Sequence, residues 1–137
     1  GFPLSLKGDL PMLSDFPIAP AIPVSDVARA RKFYEEVLGF EAARVNEEMG
    51  EVEYKSGGVD FFIYATGSAG TNQATAAAWR VSGLDGVMAD LRDKGVVFEE
   101  YDFPGLKTEN GVVDNEWGKG AWFLDSEGNI LSLSQRT

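Results

Sequence analysis

The chain contains no histidine and no cysteine. Those two zeros remove the commonest general base, the commonest transition-metal ligand, thiolate nucleophiles and disulfides at once. Carboxylate, hydroxyl, guanidinium and aromatic side chains are what remains for chemistry. Carboxylates gather in DFPGLKTENGVVDNEWG, residues 102–118, where Glu109, Asp114 and Glu116 surround Trp117. Acids beside an indole suit a cationic ligand, and a cation over the ring gains about 0.5–2 kcal/mol. A solvated acidic loop explains the same residues. In VDFFIYA, residues 59–65, strand parity puts Asp60, Phe62 and Tyr64 on one side and Phe61 and Ile63 on the other. Phe62 and Tyr64 read as ligand stackers or as plain sheet packing, which β-strands also favour. Asp60 is the one carboxylate this parity aims inward and so the one candidate general base. It has no partner acid, and no catalytic residue is assigned. Arg80 ends a strand and can hold a ligand carboxylate or phosphate, or pair with one of the many surface acids.

These residues need elements to position them, and the elements come twice. Residues 18–24 alternate as a strand, with Ile22 and Val24 on one side and Ala19 and Ala21 on the other. SDVARARKFYEEVLGF follows: Ser25 or Asp26 can cap, Val27, Ala30, Phe33, Tyr34, Val37 and Leu38 recur at helical spacing, and Gly39 stops the helix. The unit returns as AAAWRV and SGLDGVMADLRDKGVVF. There Ser82 takes the capping role, Leu84, Val87, Met88 and Leu91 form the stripe, and Gly95 is the stop.

Strand signals follow each helix: 41–46, 51–56 and 59–65 in the first half, then 96–101, 120–125 and 129–135 in the second. Gly57-Gly58 is a hairpin turn between two of them. The last strand sets Ile130, Ser132 and Ser134 on one face and Leu131 and Leu133 on the other. Each half therefore reads βαβββ, an α+β organisation. It divides into an N-terminal arm (1–17), a first module (18–66), a linker (67–75) and a second module (76–137). The segment 102–118 is long for a passive loop, which favours a functional one.

With 137 residues and 44% hydrophobic content the chain supports one domain with a sizeable core. Its net charge of −10 makes nucleic acid and anionic membranes poor partners. No apolar run reaches membrane-spanning length, and the expected location is cytoplasmic.

Three stretches in order, IPVSDVARARKFYEEVLGF, WRVSGLDGVMADLRDKGV and AWFLDSEGNILSLS, resemble the vicinal oxygen chelate superfamily, which includes glyoxalase I, extradiol dioxygenases and bleomycin-resistance proteins. The resemblance implies two βαβββ modules forming an open curved barrel around a cleft, in a homodimer. Its metal enzymes carry ligands at four inward-facing positions, which fall here at Ala19, Phe62, Ala76 and Ser132. Such a set cannot hold a divalent ion, so the expectation is no metal and no cofactor.

The nearest type is then the bleomycin-resistance one, which binds its drug without transforming it. Pro23 would mark where the first strand crosses to a second subunit. Glu116-Trp117-Gly118 is similar to the EWG of those proteins, whose tryptophan lines the drug groove; by the family pattern Trp122 also looks inward while Phe123 packs. The expected ligand-binding residues are Trp117, Trp122, Phe62, Tyr64, Arg80, Ser132, Ser134 and Glu116. The expected function is metal-free binding of an antibiotic or an aromatic or cationic metabolite. A glyoxalase-like lyase or isomerase with an atypical site, or a dimeric sensor or scaffold, stays open.

Overall fold

Residues 10–137 are described in the structure, a computed structural model; residues 1–9 of the expected arm lie outside the described residues. Period-two alternation from Ala21 and a helical stripe from Val27 lay down the first unit. It comprises β1 (Ala21–Val24), α1 (Val27–Lys32), β2 (Ala42–Asn46), β3 (Glu51–Ser56) and β4 (Val59–Ala65). A wider turn over Phe33–Val37 extends α1, its end marked by Leu38 N–H donating to the Phe33 carbonyl. The second unit comprises β5 (Thr75–Arg80), α2 (Leu84–Asp93), a small hairpin of β6 (Asp102–Phe103) and β7 (Leu106–Lys107), then β8 (Val113–Asn115), β9 (Gly118–Leu124) and β10 (Ile130–Arg136).

The two sheets run β1-β4-β3-β2 and β5-β10-β9-β8, the same order twice. In each, the first strand pairs in parallel with the last and the remaining pairs are antiparallel. Among the described residues no ladder joins the two sheets, so they do not close into a barrel. No helix among them is long and apolar enough to cross a membrane.

The inward-facing residues of β1, β3, β4, β9 and β10 are apolar and form one core shared by both units. Ile22, Val24, Val52, Tyr54, Phe61 and Ile63 come from the first sheet, Ala121, Phe123, Leu131 and Leu133 from the second, and Leu84, Met88 and Leu91 from α2. Rings bridge the units: Phe40 stacks on Trp79 at 6.1 Å, and Phe61 meets Trp79 edge-on at 6.4 Å. The Trp79 indole N–H donates to Ser56 Oγ across the same junction.

A polar clamp completes the join. The β9–β10 turn, DSEGN, folds on Asp125, whose Oδ1 accepts from the Glu127 and Asn129 amides. Its other oxygen accepts from the Tyr34 hydroxyl at 2.7 Å and from Asn129 Nδ2, which also reaches the Pro23 carbonyl. Glu127, its side chain fully buried, accepts from the Ser25 and Asp26 amides, from Ser25 Oγ and from the Arg29 guanidinium at 2.7 Å. The turn of the second unit thus neutralises the start of the first unit's helix, where orphan amides and the helix dipole favour an anion. Gly70 lets the inter-unit connection pass beneath: a Cβ there would collide with the Glu127 carbonyl.

One open choice is resolved and three expectations change on folding. Asp26, not Ser25, caps α1 by accepting from Arg29 N–H, and Ser25 serves Glu127. Ser82 caps nothing; Gly83 stands at the start of α2 in a left-handed conformation, and Gln135 Oε1 accepts from the Leu84 amide. Residues 96–101 do not form a ladder strand. They meet β9 at one bridge, Phe98 to Phe123, and the edge strand is β8, inside the segment read as a loop. The first strand begins at Ala21, so Ala19 precedes it, exposed. Gly57 and Gly58 both adopt positive φ, as the hairpin requires.

Hydrogen bonds from Arg29, the Asp26 amide and the serines hold the Glu127 carboxyl well below its ordinary range, at about 2. A depressed carboxylate pKa stabilises the fold above its unfolded value and stops doing so as pH falls towards the folded one. Glu127→Gln is therefore expected to cost about 2–3 kcal/mol at neutral pH. The gap from wild type should hold above about pH 5 and shrink towards pH 2, measured by urea denaturation across that range.

Candidate functional site

Each sheet has a second face, turned away from the helices and the core. On the second sheet, register sets Ala78, Ser132 and Trp122 in one row across β5, β10 and β9. Arg80, Ser134, Gly120 and Val113 form the next row. Four of these seven residues are Ala, Ser or Gly, so the face is a shallow floor. Gly120 is small for a reason: a Cβ there would lie 3.4 Å from Val113 and 3.6 Å from the tip of the Trp122 ring.

Trp122 stands at the edge of this floor, half-buried, while Ala121 and Phe123 on either side are buried. The Tyr101 ring meets it edge-on at 5.6 Å, and the Phe103 ring lies 5.5 Å beyond Tyr101. The backbone enters this arrangement through Glu99 N–H, which donates to the Trp122 carbonyl. Burial, and secondarily the Glu99 charge, raises the Tyr101 hydroxyl above the usual tyrosine range, so it is a neutral donor at physiological pH.

On the first sheet the corresponding face carries Phe62 and Tyr64, their rings 6.1 Å apart. Directly opposite them on β3 stand Glu53 and Glu51, half-buried because Val52 and Tyr54 take the core side. Arg44 is the cross-strand neighbour of Glu53, and Arg44, Asn46, Met49 and the two glutamates line a groove of about 200 Å³. Asp60 is exposed and paired with Lys55 at 3.5 Å. The half-buried carboxylates of this open face are therefore Glu51 and Glu53.

Trp122, Arg80, Ser132 and Ser134 are thus brought together on one face, and Phe62 and Tyr64 on another. A cavity of about 420 Å³ sets Arg80 and Ala76–Ala78 beside Val59 and Phe61 of β4, but Trp122, Ser132, Ser134, Phe62 and Tyr64 do not line it. Trp117 and Glu116 lie in the β8–β9 turn; Trp117 is 78% exposed and its ring packs on no other described ring. Glu109 and Asp114 border a polar groove beside α2 with Arg92, Lys107 and Lys119, apart from Trp117. A roughly 540 Å³ apolar cavity lies on the helix side, between Leu38, Phe40 and Trp79 and the Val87–Leu91 flank of α2. None of the expected binding residues lines it.

Sequence reasoning missed Tyr101, Phe103, Glu51 and Glu53. The glutamates were visible as the outward half of EVEYKS. The two rings carried no local signal, because what aims them is the loop closure from Thr108 and Gly111.

Residues 18–53 match the family described as bleomycin resistance protein-like, N-terminal. No curated protein matches the sequence. Solved structures align over most of both chains. An integron cassette protein from the mobile metagenome of the Halifax Harbour sewage outfall is 20% identical, over 88% of this chain and 97% of that one, with a TM-score of 0.68. TnmS3, an antibiotic binding protein from Streptomyces sp. CB03234, is 22% identical over 89% and 98%, with a TM-score of 0.63. The fosfomycin resistance protein FosX from Listeria monocytogenes is 13% identical over 88% and 92%, with a TM-score of 0.64. The chain has the vicinal oxygen chelate fold.

In that fold the four expected ligand positions can now be placed. Ala19 lies just before β1, Phe62 and Ser132 stand on the open faces of β4 and β10, and Ala76 is exposed on β5. Together they offer a single hydroxyl. Among the described residues no three Asp or Glu side chains converge either. This donor set does not fit a divalent ion, which needs several charged oxygen or imidazole ligands. Calorimetric titration with Mn²⁺ or Zn²⁺ should therefore show no saturable site tighter than about 10⁻⁴ M, the weak end of purpose-built carboxylate sites. Ser132→Glu alone should not create one.

Proposed function

We propose that this chain is a small-molecule-binding protein that holds a flat, aromatic or cationic ligand on the open faces of its sheets and releases it unchanged. The observation that carries the reading is the second sheet's open face, a floor of Ala, Ser and Gly edged by Trp122 where a metal enzyme of this fold would need ligands. Mostly apolar sites with a few convergent polar groups are the usual small-molecule receptors. That one relative in fold is an antibiotic binding protein and another a fosfomycin resistance protein supports a role in sequestering such a compound.

Each proposed residue has a part. Trp122 stacks on the ligand, the Ser132 and Ser134 hydroxyls bond polar atoms at its edge, and Arg80 offers a cation at the far rim. Phe62 and Tyr64, beside Glu53 and Glu51, form a second half-site suited to a positive group. One chain leaves these half-sites apart, and a homodimer that sets the first sheet of one copy against the second sheet of the other would close them into a cleft. Trp117 and Glu116, exposed in their turn, then lie where a partner or ligand can cover them.

A second reading, a lyase or isomerase, is favoured by one feature, the half-buried Glu51 and Glu53 beside two aromatic rings. It requires one of them to move a substrate proton.

Thermal-shift screening against antibiotics and aromatic metabolites, with mass spectrometry of the recovered compound, separates the two. Binding should raise the melting midpoint in proportion to occupancy, and the compound should return with unchanged mass. Trp122→Ala should weaken the hit about 10-fold or more. A hit converted to product, with conversion lost in Glu51→Gln or Glu53→Gln, would establish the enzyme instead. Light scattering should report a dimer.

A further inference from the structure

We propose that residues 99–111 form a preorganised stacking wall for a planar aromatic ligand, with Tyr101 and Phe103 touching the ligand and Glu100 positioning them. The inference rests on the reading that the open face of β5, β10 and β9 binds a small molecule, and adds the ligand's chemical class and the residues that bound it.

Three rings run outward from the floor in an unbroken series. Trp122 meets Tyr101 at 73° between ring planes, and Tyr101 meets Phe103 at 35°. The series ends in solvent, since Phe103 is 53% exposed on a hairpin of two residues per strand. A hairpin that short is not stable by itself, and its own rings are not what anchors it.

The anchor is polar and lies behind the rings. Tyr101 N–H donates to Thr108 Oγ1, and Thr108 N–H returns to the Tyr101 carbonyl. The Thr108 hydroxyl donates to Glu100, whose carboxylate also takes the Gly111 amide. Gly111 is buried with φ of +80°, and a Cβ there would lie 2.9 Å from Phe98 Cβ. Arg92 closes the end by donating to the Asn110 carbonyl while its guanidinium sits 5.1 Å over the Phe98 ring.

A loop secured in this way leaves its aromatic faces free. Holding exposed rings in place before a ligand arrives removes part of the ordering cost of binding. The floor beside them suits a flat molecule, because Ala78, Ser132, Ser134 and Gly120 present nothing taller than a hydroxyl. Among the described residues the Ser132 and Ser134 hydroxyls have no partner of their own, which leaves them for heteroatoms at a ring edge. Rings inclined to one another in this way meet a planar π-system by stacking and by edge contact together.

The test uses the full chain and two planar probes of opposite charge, proflavine and anthraquinone-2-sulfonate, with camphor as a bulky alicyclic control. Wild type should bind a planar probe and not camphor, read by tryptophan quenching and calorimetry. Phe103→Ala should weaken the planar probe about 10-fold with an unchanged melting midpoint, because the side chain is exposed, and Phe103→Trp should restore it. Glu100→Ala should weaken it comparably, while Glu100→Gln, whose amide oxygen still accepts from Gly111 and Thr108, should keep most of the affinity. If Phe103→Ala and Tyr101→Leu bind like wild type while Trp122→Ala loses the probe, the wall is wrong and the open face still binds. If wild type binds neither planar probe, or binding survives Trp122→Ala as well, the wall and the face both fall.

Discussion

The buried carboxylate of Glu127 is the constraint on which the architecture turns. A fully buried carboxylate is tolerable only when donors surround it. Here the donors come from the start of α1, roughly a hundred residues earlier in the chain. Satisfying that one charge fixes the β9–β10 turn against the first unit, and Asp125 reinforces it through Tyr34 and Asn129. The same turn joins the strand carrying Trp122 to the strand carrying Ser132. Docking the two units and setting the open face are therefore one event.

The open faces follow from what each strand does with its other side. Strand parity sends Phe123, Leu131 and Leu133 to the core, which commits Trp122, Ser132 and Ser134 to the opposite face. At the four positions where the resemblance would set metal ligands, this chain has alanine, phenylalanine and serine. The surface that results is low, partly aromatic and partly hydroxylic, with acids on the neighbouring sheet. Such a surface offers shape and stacking, with Arg80 as a cation at its rim.

Much of this was legible in the residues. The doubled strand–helix pattern, the Gly57-Gly58 hairpin, the facing of Phe62 and Tyr64 and that of Ser132 and Ser134 all follow from periods of two and 3.6 and from turn chemistry. The failures share a cause. Residues 96–101 have the alternation of a strand, but β9 accepts Val113–Asn115 as its edge partner and leaves the earlier segment a single bridge. Ser82 is a good cap by type, yet Gln135 occupies the amide it would have served. Glu51 and Glu53 were in plain view as the outward residues of β3, and acids are so often merely solvated that composition alone does not separate them.

Residue type and local periodicity therefore determined by themselves the repeated strand–helix units, which side of most strands is apolar, and that histidine and cysteine chemistry is absent. Those are properties of residue type and spacing over a few positions, and they need no distant partner. Tertiary structure decided which edge strand pairs with β9, which residues receive the helix-start amides, and that Tyr101 and Phe103 continue the ring series begun by Trp122. Each depends on hydrogen bonds or ring contacts between residues far apart in the chain. Competition among those partners is resolved only when the core has brought them together.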